Sequence, residues 1–196
     1  MPNALMMLKA DHATVKRLLR ELNETADRAT KQRERLCSEI EREVKIHSQL
    51  EEELFYPAFL AAAEKKRADD ELFYEATEEH HVVDMVLPAL KAANPKSKEF
   101  AAKAKVLKDL IEHHIREEEG EMFRQARTLL DDGQLRALGD EMQARKETLV
   151  AMWANPIGKP AKKLQSAAQK FLPAKVKNAK AIAIARKERS ESEEAR

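Results

Sequence analysis

HSQLEEELFYP, residues 47–57, and HIREEEGEMFR, residues 114–124, can be laid over each other: both read His, three residues, then Glu-Glu. A second pair aligns as well. DHATVKRLLREL, residues 11–22, and EHHVVDMVLPAL, residues 79–90, share an acid-His start followed by Val15/Val83, Leu19/Leu87 and Leu22/Leu90. His12 and His80 lie 68 residues apart, and His47 and His114 lie 67 apart. The chain therefore reads as two copies of a helix pair, each giving one helix a lone histidine and the next a His-x-x-x-Glu.

That spacing has a geometric meaning, because residues four apart on an α-helix differ by about 40° in direction and sit one turn apart. His47 with Glu51, and His114 with Glu118, can each reach one ion together. Both faces are otherwise apolar: Ile40 and Val44 precede His47, Leu54, Phe55 and Ala58 follow Glu51, and Leu107, Leu110, Ile111 and Met122 flank His114 and Glu118. An ionised carboxylate on a core-facing stripe is costly unless positive charge meets it, and a metal ion does so. Mixed imidazole and carboxylate donors suit iron, manganese or zinc, and two carboxylates converging on four imidazoles are what two bridged ions require. The Glu-x-x-His spacing of ferritin-like carboxylate sites occurs once among these histidines, at Glu78 and His81, so the expected centre is rich in histidine.

The rest of the 196-residue chain fits an all-α protein. It has only four glycines, 36% charged residues and abundant Ala, Leu, Glu, Lys and Arg, residues that keep rotamer freedom in helices. Helical periodicity predicts five helices: about Ala4–Ala26, Thr30–Lys65 kinked or ended by Pro57, Ala68–Ala93, Lys98–Leu130, and, after a break at Asp131-Asp132-Gly133, a shorter one to about Ala154. The expected architecture is an antiparallel up-down four-helix bundle with a short fifth helix in residues 1–155, and a basic Ala/Lys/Pro-rich tail, partly disordered, in residues 156–196. Residues 159–196 carry 11 Lys and Arg against 4 acids, a net of +7, which leaves −6 on the first 158. Such a tail can neutralise phosphates in nucleic acid or an anionic surface, or merely solubilise. The single Cys37 forms no internal disulfide, no run reaches membrane-spanning length, and Lys9 precedes any signal-like stretch, so the expected compartment is the cytoplasm.

With Asp11-His12, His47 with Glu51-Glu52 and Leu54–Pro57, Glu79-His80, and His114 with Glu118-Glu119 in order, the chain resembles the hemerythrin-like, or HHE cation-binding, family over about residues 1–130. The resemblance implies that His12, His47, His80 and His114 are terminal ligands of two oxo- or hydroxo-bridged iron ions. It further implies that Glu51 and Glu118 bridge them and that oxygen or peroxide reaches an open position. One departure matters. Oxygen-carrying hemerythrins have His-x-x-x-His on the third helix, whereas here His80 is followed four residues on by Asp84. Peroxide-consuming, oxidase, iron-handling or sensing roles gain weight over reversible carriage.

Other residues have two readings. His81 and His113 duplicate their neighbours and are read as flanking or supporting residues, although His113-Glu117 is itself a His-x-x-x-Glu pair. Asp11 and Glu79 can orient imidazoles or simply face solvent. Asp84, Tyr56 and Tyr74 stay open as further donors, and the remaining glutamates of the two Glu runs are read as solvated. A non-enzymatic regulator that responds to metal occupancy is the alternative function, and a metal-free interaction module is a third. A histidine phosphotransfer domain fits poorly, since it needs one exposed histidine.

Overall fold

Asn3 starts the first helix by accepting the backbone N–H of Met6 at 3.0 Å, and α1 then runs over Ala4–Glu24 until Thr25 turns extended. The structure, a computed structural model, describes residues 2–66 and 71–154. α2 (Thr30–Leu50) continues through a π-helical turn at Glu51–Phe55 into α3 (Tyr56–Lys66). After α4 (Glu71–Ala92), Ser97 caps α5 (Lys98–Glu117) by accepting from the N–H of Phe100 at 3.1 Å. α5 passes through a second π-helical turn, Glu118–Met122, into α6 (Phe123–Leu129), and α7 (Asp132–Ala154) follows. Among the described residues the protein is all-helical, with five continuous helices and no strand. The start of the third helix at Ala68 and the tail at 156–196 lie outside the described residues.

Pro57 does not end its helix, one of the two outcomes the sequence left open. The helix widens one turn earlier, where the N–H of Tyr56 bonds the carbonyl of Glu51 five residues back. Proline is not the cause, because the N–H of Phe123 bonds the carbonyl of Glu118 in the same way where no proline follows. What the two turns share is a fully buried glutamate at their first residue and a buried ring, Tyr56 or Phe123, one wide turn below it. Such single π turns are a recurrent feature of functional sites in helices.

α1 packs on α2 and α5, and α4 packs on α5 and α2. The apolar residues form two clusters. One contains Leu8, Ile46, Phe55, Ala76, Met122 and Met142, and the other Val15, Val44, Val83, Leu87, Ile111 and Ile115. On α1, on α2 with its π turn, on α4 and on α5 with its π turn, one cluster gives way to the other along the sequence, and the six expected site residues lie at or next to that changeover. The clusters thus form an apolar wall above and below a polar layer. Burial against such walls contributes about 25 cal/mol per Å² of apolar surface, which is what offsets the cost of enclosing charge between them.

A buried arginine ties the far end together. Arg33, only 4% exposed, donates to the Thr25 carbonyl at 2.9 Å, to Thr25 Oγ1 at 2.8 Å, to Asp27 at 3.0 Å and to the Pro95 carbonyl, with its guanidinium 5.1 Å from the Phe100 ring centre. It joins the segment before α2 to the turn before α5. Arg33→Ala strands those acceptors and is expected to cost about 3 kcal/mol, lowering Tm by about 10 °C in thermal unfolding. A change under about 2 °C would show that solvent replaces these bonds freely.

Candidate metal centre

All six residues are buried: His12 1%, His47 6%, Glu51 0%, His80 7%, His114 6% and Glu118 2% exposed. They form two overlapping groups. In one, ligand atoms of His12, His47, Glu51 and Glu118 lie within 4.8 Å of one another; in the other, those of Glu51, His80 and His114 do. Glu51 belongs to both. Its Oε1 lies 3.0 Å from His47 Nε2 and its Oε2 3.3 Å from His80 Nε2, while Glu118 Oε2 lies 3.0 Å from His12 Nε2. The first group offers two imidazoles and two carboxylates, the second two imidazoles and one carboxylate.

The outward nitrogens explain why each histidine motif carries extra acids. His12 Nδ1 donates to Glu119 at 2.9 Å and His80 Nδ1 to Glu52 at 2.9 Å, so the second glutamate of each Glu-Glu serves the lone histidine of the other helix pair. His114 Nδ1 donates to Glu79 at 2.8 Å, and His47 Nδ1 faces Asp11 at 3.9 Å, a charge contact beyond hydrogen-bonding distance. Asp11 and Glu79 therefore face the histidine of the neighbouring helix and not the one beside them in sequence. With Nδ1 holding the proton, Nε2 presents its lone pair inward, which is how carboxylates orient metal-binding imidazoles. Glu52 and Glu119 correct the expectation that these positions are merely solvated.

Inside the layer the hydrogen-bonding count does not close. Neither oxygen of Glu51 or Glu118, nor His114 Nε2, nor the Tyr56 hydroxyl has a hydrogen-bond partner among the described residues, although all are buried. His12 Nε2 and His47 Nε2 face each other at 3.0 Å. Buried polar atoms normally find partners, and lone pairs converging without protons between them are the arrangement that a cation satisfies. The donor set fits cation binding.

Protons supply the positive charge when a cation does not. Burial lowers the affinity of His47 for a proton, but the carboxylates of Glu51, Asp11 and Glu118 outweigh it and hold the imidazolium up to about 10. Burial likewise opposes a proton on His80, and Glu51 and Glu52 raise it to about 9. Glu51 is raised by burial yet driven well below the ordinary carboxylate range by His47 and His80. Glu118 goes the other way, pushed up by burial and by the charge of Glu51 against the pull of His12.

Two cavities touch the layer. One of about 20 Å³ is bounded by His12, His47, His80 and His114 and by Val15, Val83 and Ile111, room for one small molecule. The other, about 10 Å³, has His114 and Glu118 at its base. The remaining candidates separate cleanly. Asp84 is half-exposed and paired with Lys45 at 2.5 Å, and His81 is exposed beside Glu78, so neither reaches the layer. Tyr74 is exposed, whereas Tyr56 is fully buried and stacks on His80 with ring centres 5.7 Å apart. Phe123 stacks on His12 in the same manner at 6.0 Å, so the two halves differ there by one hydroxyl.

Known proteins resemble this chain in both sequence and fold. The hemerythrin HHE cation binding domain family matches residues 3–126. A crystal structure of a hemerythrin HHE cation binding domain-containing protein from Mycobacterium kansasii superposes with a TM-score of 0.66 at 30% identity, covering 76% of this chain and 88% of that one. Uncharacterized protein Rv2633c of Mycobacterium tuberculosis (strain ATCC 25618 / H37Rv) is 30% identical over 148 residues, 75% of this chain and 87% of its own. A DNA nickase of Nostoc sp. (strain PCC 7120 / SAG 25.82 / UTEX 2576) is 26% identical over 146 residues, 73% of this chain, but the match spans only 39% of the nickase. With the match covering every helix that carries a histidine or glutamate of the buried layer, the chain belongs to the hemerythrin HHE cation binding domain family.

Proposed function

We propose that this protein holds two iron ions in an antiparallel four-helix bundle and reacts with or senses oxygen or peroxide there. The contacts of α1 with α2 and α5, and of α4 with α2 and α5, support the bundle reading. The observation that carries the site is the sharing of Glu51 between two donor groups. His12, His47, Glu51 and Glu118 would hold one ion, and His80, His114 and Glu51 the other. Bound iron would supply redox chemistry toward a small oxygen species.

The chain's own residues decide what reaches that chemistry. The second group has one imidazole or carboxylate donor fewer than the first. Tyr56 would add one there, a reading supported by its unpaired buried hydroxyl and by its ring lying on His80. Burial and the charges of Glu51, Glu118, Glu52 and Glu79 push the phenol well above its ordinary range, so it stays neutral unless a cation offsets them. Val15, Val44, Val83 and Ile111 make much of the larger cavity's wall apolar, and the space fits a molecule about the size of water.

Metal analysis with an optical spectrum tests this reading. Protein produced in iron-rich medium is expected to carry about two irons per chain, and Tyr56→Phe to keep that content while losing a visible band from a phenolate ligand. Iron content near zero would sink the proposal, and an unchanged spectrum would remove Tyr56 from it. Peroxide disproportionation without a reversible oxygen spectrum is expected of the loaded protein, because no second imidazole stands four residues after His80.

A further inference from the structure

The two halves of the chain treat the outside of the buried layer differently. In the second half, ligand atoms of Glu79, His113 and Glu117 lie within 4.8 Å of one another at the surface, with His113 Nε2 3.5 Å from Glu79 and 3.2 Å from Glu117. The corresponding residues of the first half, 67 or 68 positions earlier, are Asp11, Ile46 and Leu50. Ile46 and Leu50 are buried in one apolar cluster with Leu138 and Met142 of α7, and Lys146 of α7 pairs with Asp11. α7 thus closes one side of the layer, and the duplicated position on the other side carries an imidazole and two carboxylates instead.

The open side also leads inward. Glu75, Glu79 and Glu117 line the outer part of the narrow cavity whose base holds His114 and Glu118. His114 and Glu118 are 6% and 2% exposed, and His114 Nε2 and both Glu118 oxygens lack hydrogen-bond partners among the described residues. Glu79 touches both ends, since its Oε2 accepts from His114 while its Oε1 faces His113. A divalent cation must shed its water on the way into a buried site, and fixed carboxylates with an imidazole replace that water stepwise.

We propose that Glu79, His113 and Glu117 capture a divalent cation such as ferrous ion and pass it along the cavity to His114 and Glu118. The proposal rests on the reading of the buried residues as cation ligands. Binding at His113 Nε2 needs its ring proton on Nδ1, and the exposed Arg116, 3.4 Å from Nδ1, must then turn away. Acidic residues that focus a cation at a cleft raise association rates by about 10-fold or more.

The test uses the full chain freed of metal and mixed with limiting ferrous ion without oxygen, with uptake quenched at intervals by a ferrous chelator. The double variant His113→Ala, Glu117→Gln is expected to load about 10-fold more slowly and reach the same final content, Glu79 being left in place for His114. Equal uptake rates overturn the transfer. Substoichiometric manganous ion scores the outer cluster separately: it should broaden the His113 ring signals in NMR before those of the exposed His81. Equal broadening overturns the capture site. A wild-type chain that takes up no iron at equilibrium refutes the reading of the buried layer and the transfer with it, while the manganous titration still decides the capture site.

Discussion

Glu51→Gln is expected to lower iron content from about two ions per chain to below about one, the largest loss from any single substitution in the layer. Glu51 faces His47 with one oxygen and His80 with the other, so each proposed ion loses an anionic donor at once. Glu118 belongs to the first donor group alone, and Glu118→Gln should leave the second ion bound, with content near about one. The supporting carboxylates are weaker levers. Glu52→Gln and Glu119→Gln keep every inward atom and loosen only the orientation of His80 or His12, which predicts affinity losses of about 10- to 100-fold and normal content at high iron. Iron analysis after equilibration at graded ferrous concentrations separates the three classes. Equal losses for Glu51→Gln and Glu118→Gln would sink the assignment of Glu51 as the shared carboxylate.

The buried layer was legible because duplication doubles the signal. A lone histidine such as His12 says little, but matched spacings near 67 and 68 residues pick out His12 with His80 and His47 with His114. Helix existence followed from periodicity. What the pattern hid was anything carried by a second role in a common composition. Glu52 and Glu119 sit inside charge runs of a kind that usually faces water, and only the crossing of a side chain to a neighbouring helix reveals their work. The π turns have no sequence marker; Pro57 drew attention to the first, and the second at Glu118–Met122 lacks any proline. Asp84 stayed open in the sequence for a related reason. Its position four residues after His80 suits a ligand on a straight helix, yet Lys45 holds it at the surface. The asymmetry of Ile46 and Leu50 against His113 and Glu117 was present in the same alignment, but it gains meaning only once α7 is seen to cover one side.

Raising the pH should destabilise the metal-free protein while leaving the loaded form intact. His47 and His80 have folded-state proton affinities near about 10 and 9, above the unfolded value of 6.5. Groups shifted upward stabilise the folded state fully below the unfolded value, and that stabilisation is lost as pH climbs through the folded values. The sensitive window is thus about pH 7 to 10, and the loss on crossing it is on the order of several kcal/mol, less than two independent shifts imply because both rings lean on Glu51. Glu51 acts with the opposite sign: its folded value is lowered, so its contribution is present above 4.5 and fades as pH falls through the depressed range. Metal-free protein should therefore be most stable in between, and thermal unfolding at pH 6 and pH 10 should differ by about 10 °C or more. In the loaded form, cations take the place of these protons, and loading at pH 8 should release about two protons per chain, readable with a dilute pH indicator. Melting temperatures that match at the two pH values in chelator-treated protein, or loading without proton release, would show that the buried carboxylates are not held by imidazolium charge.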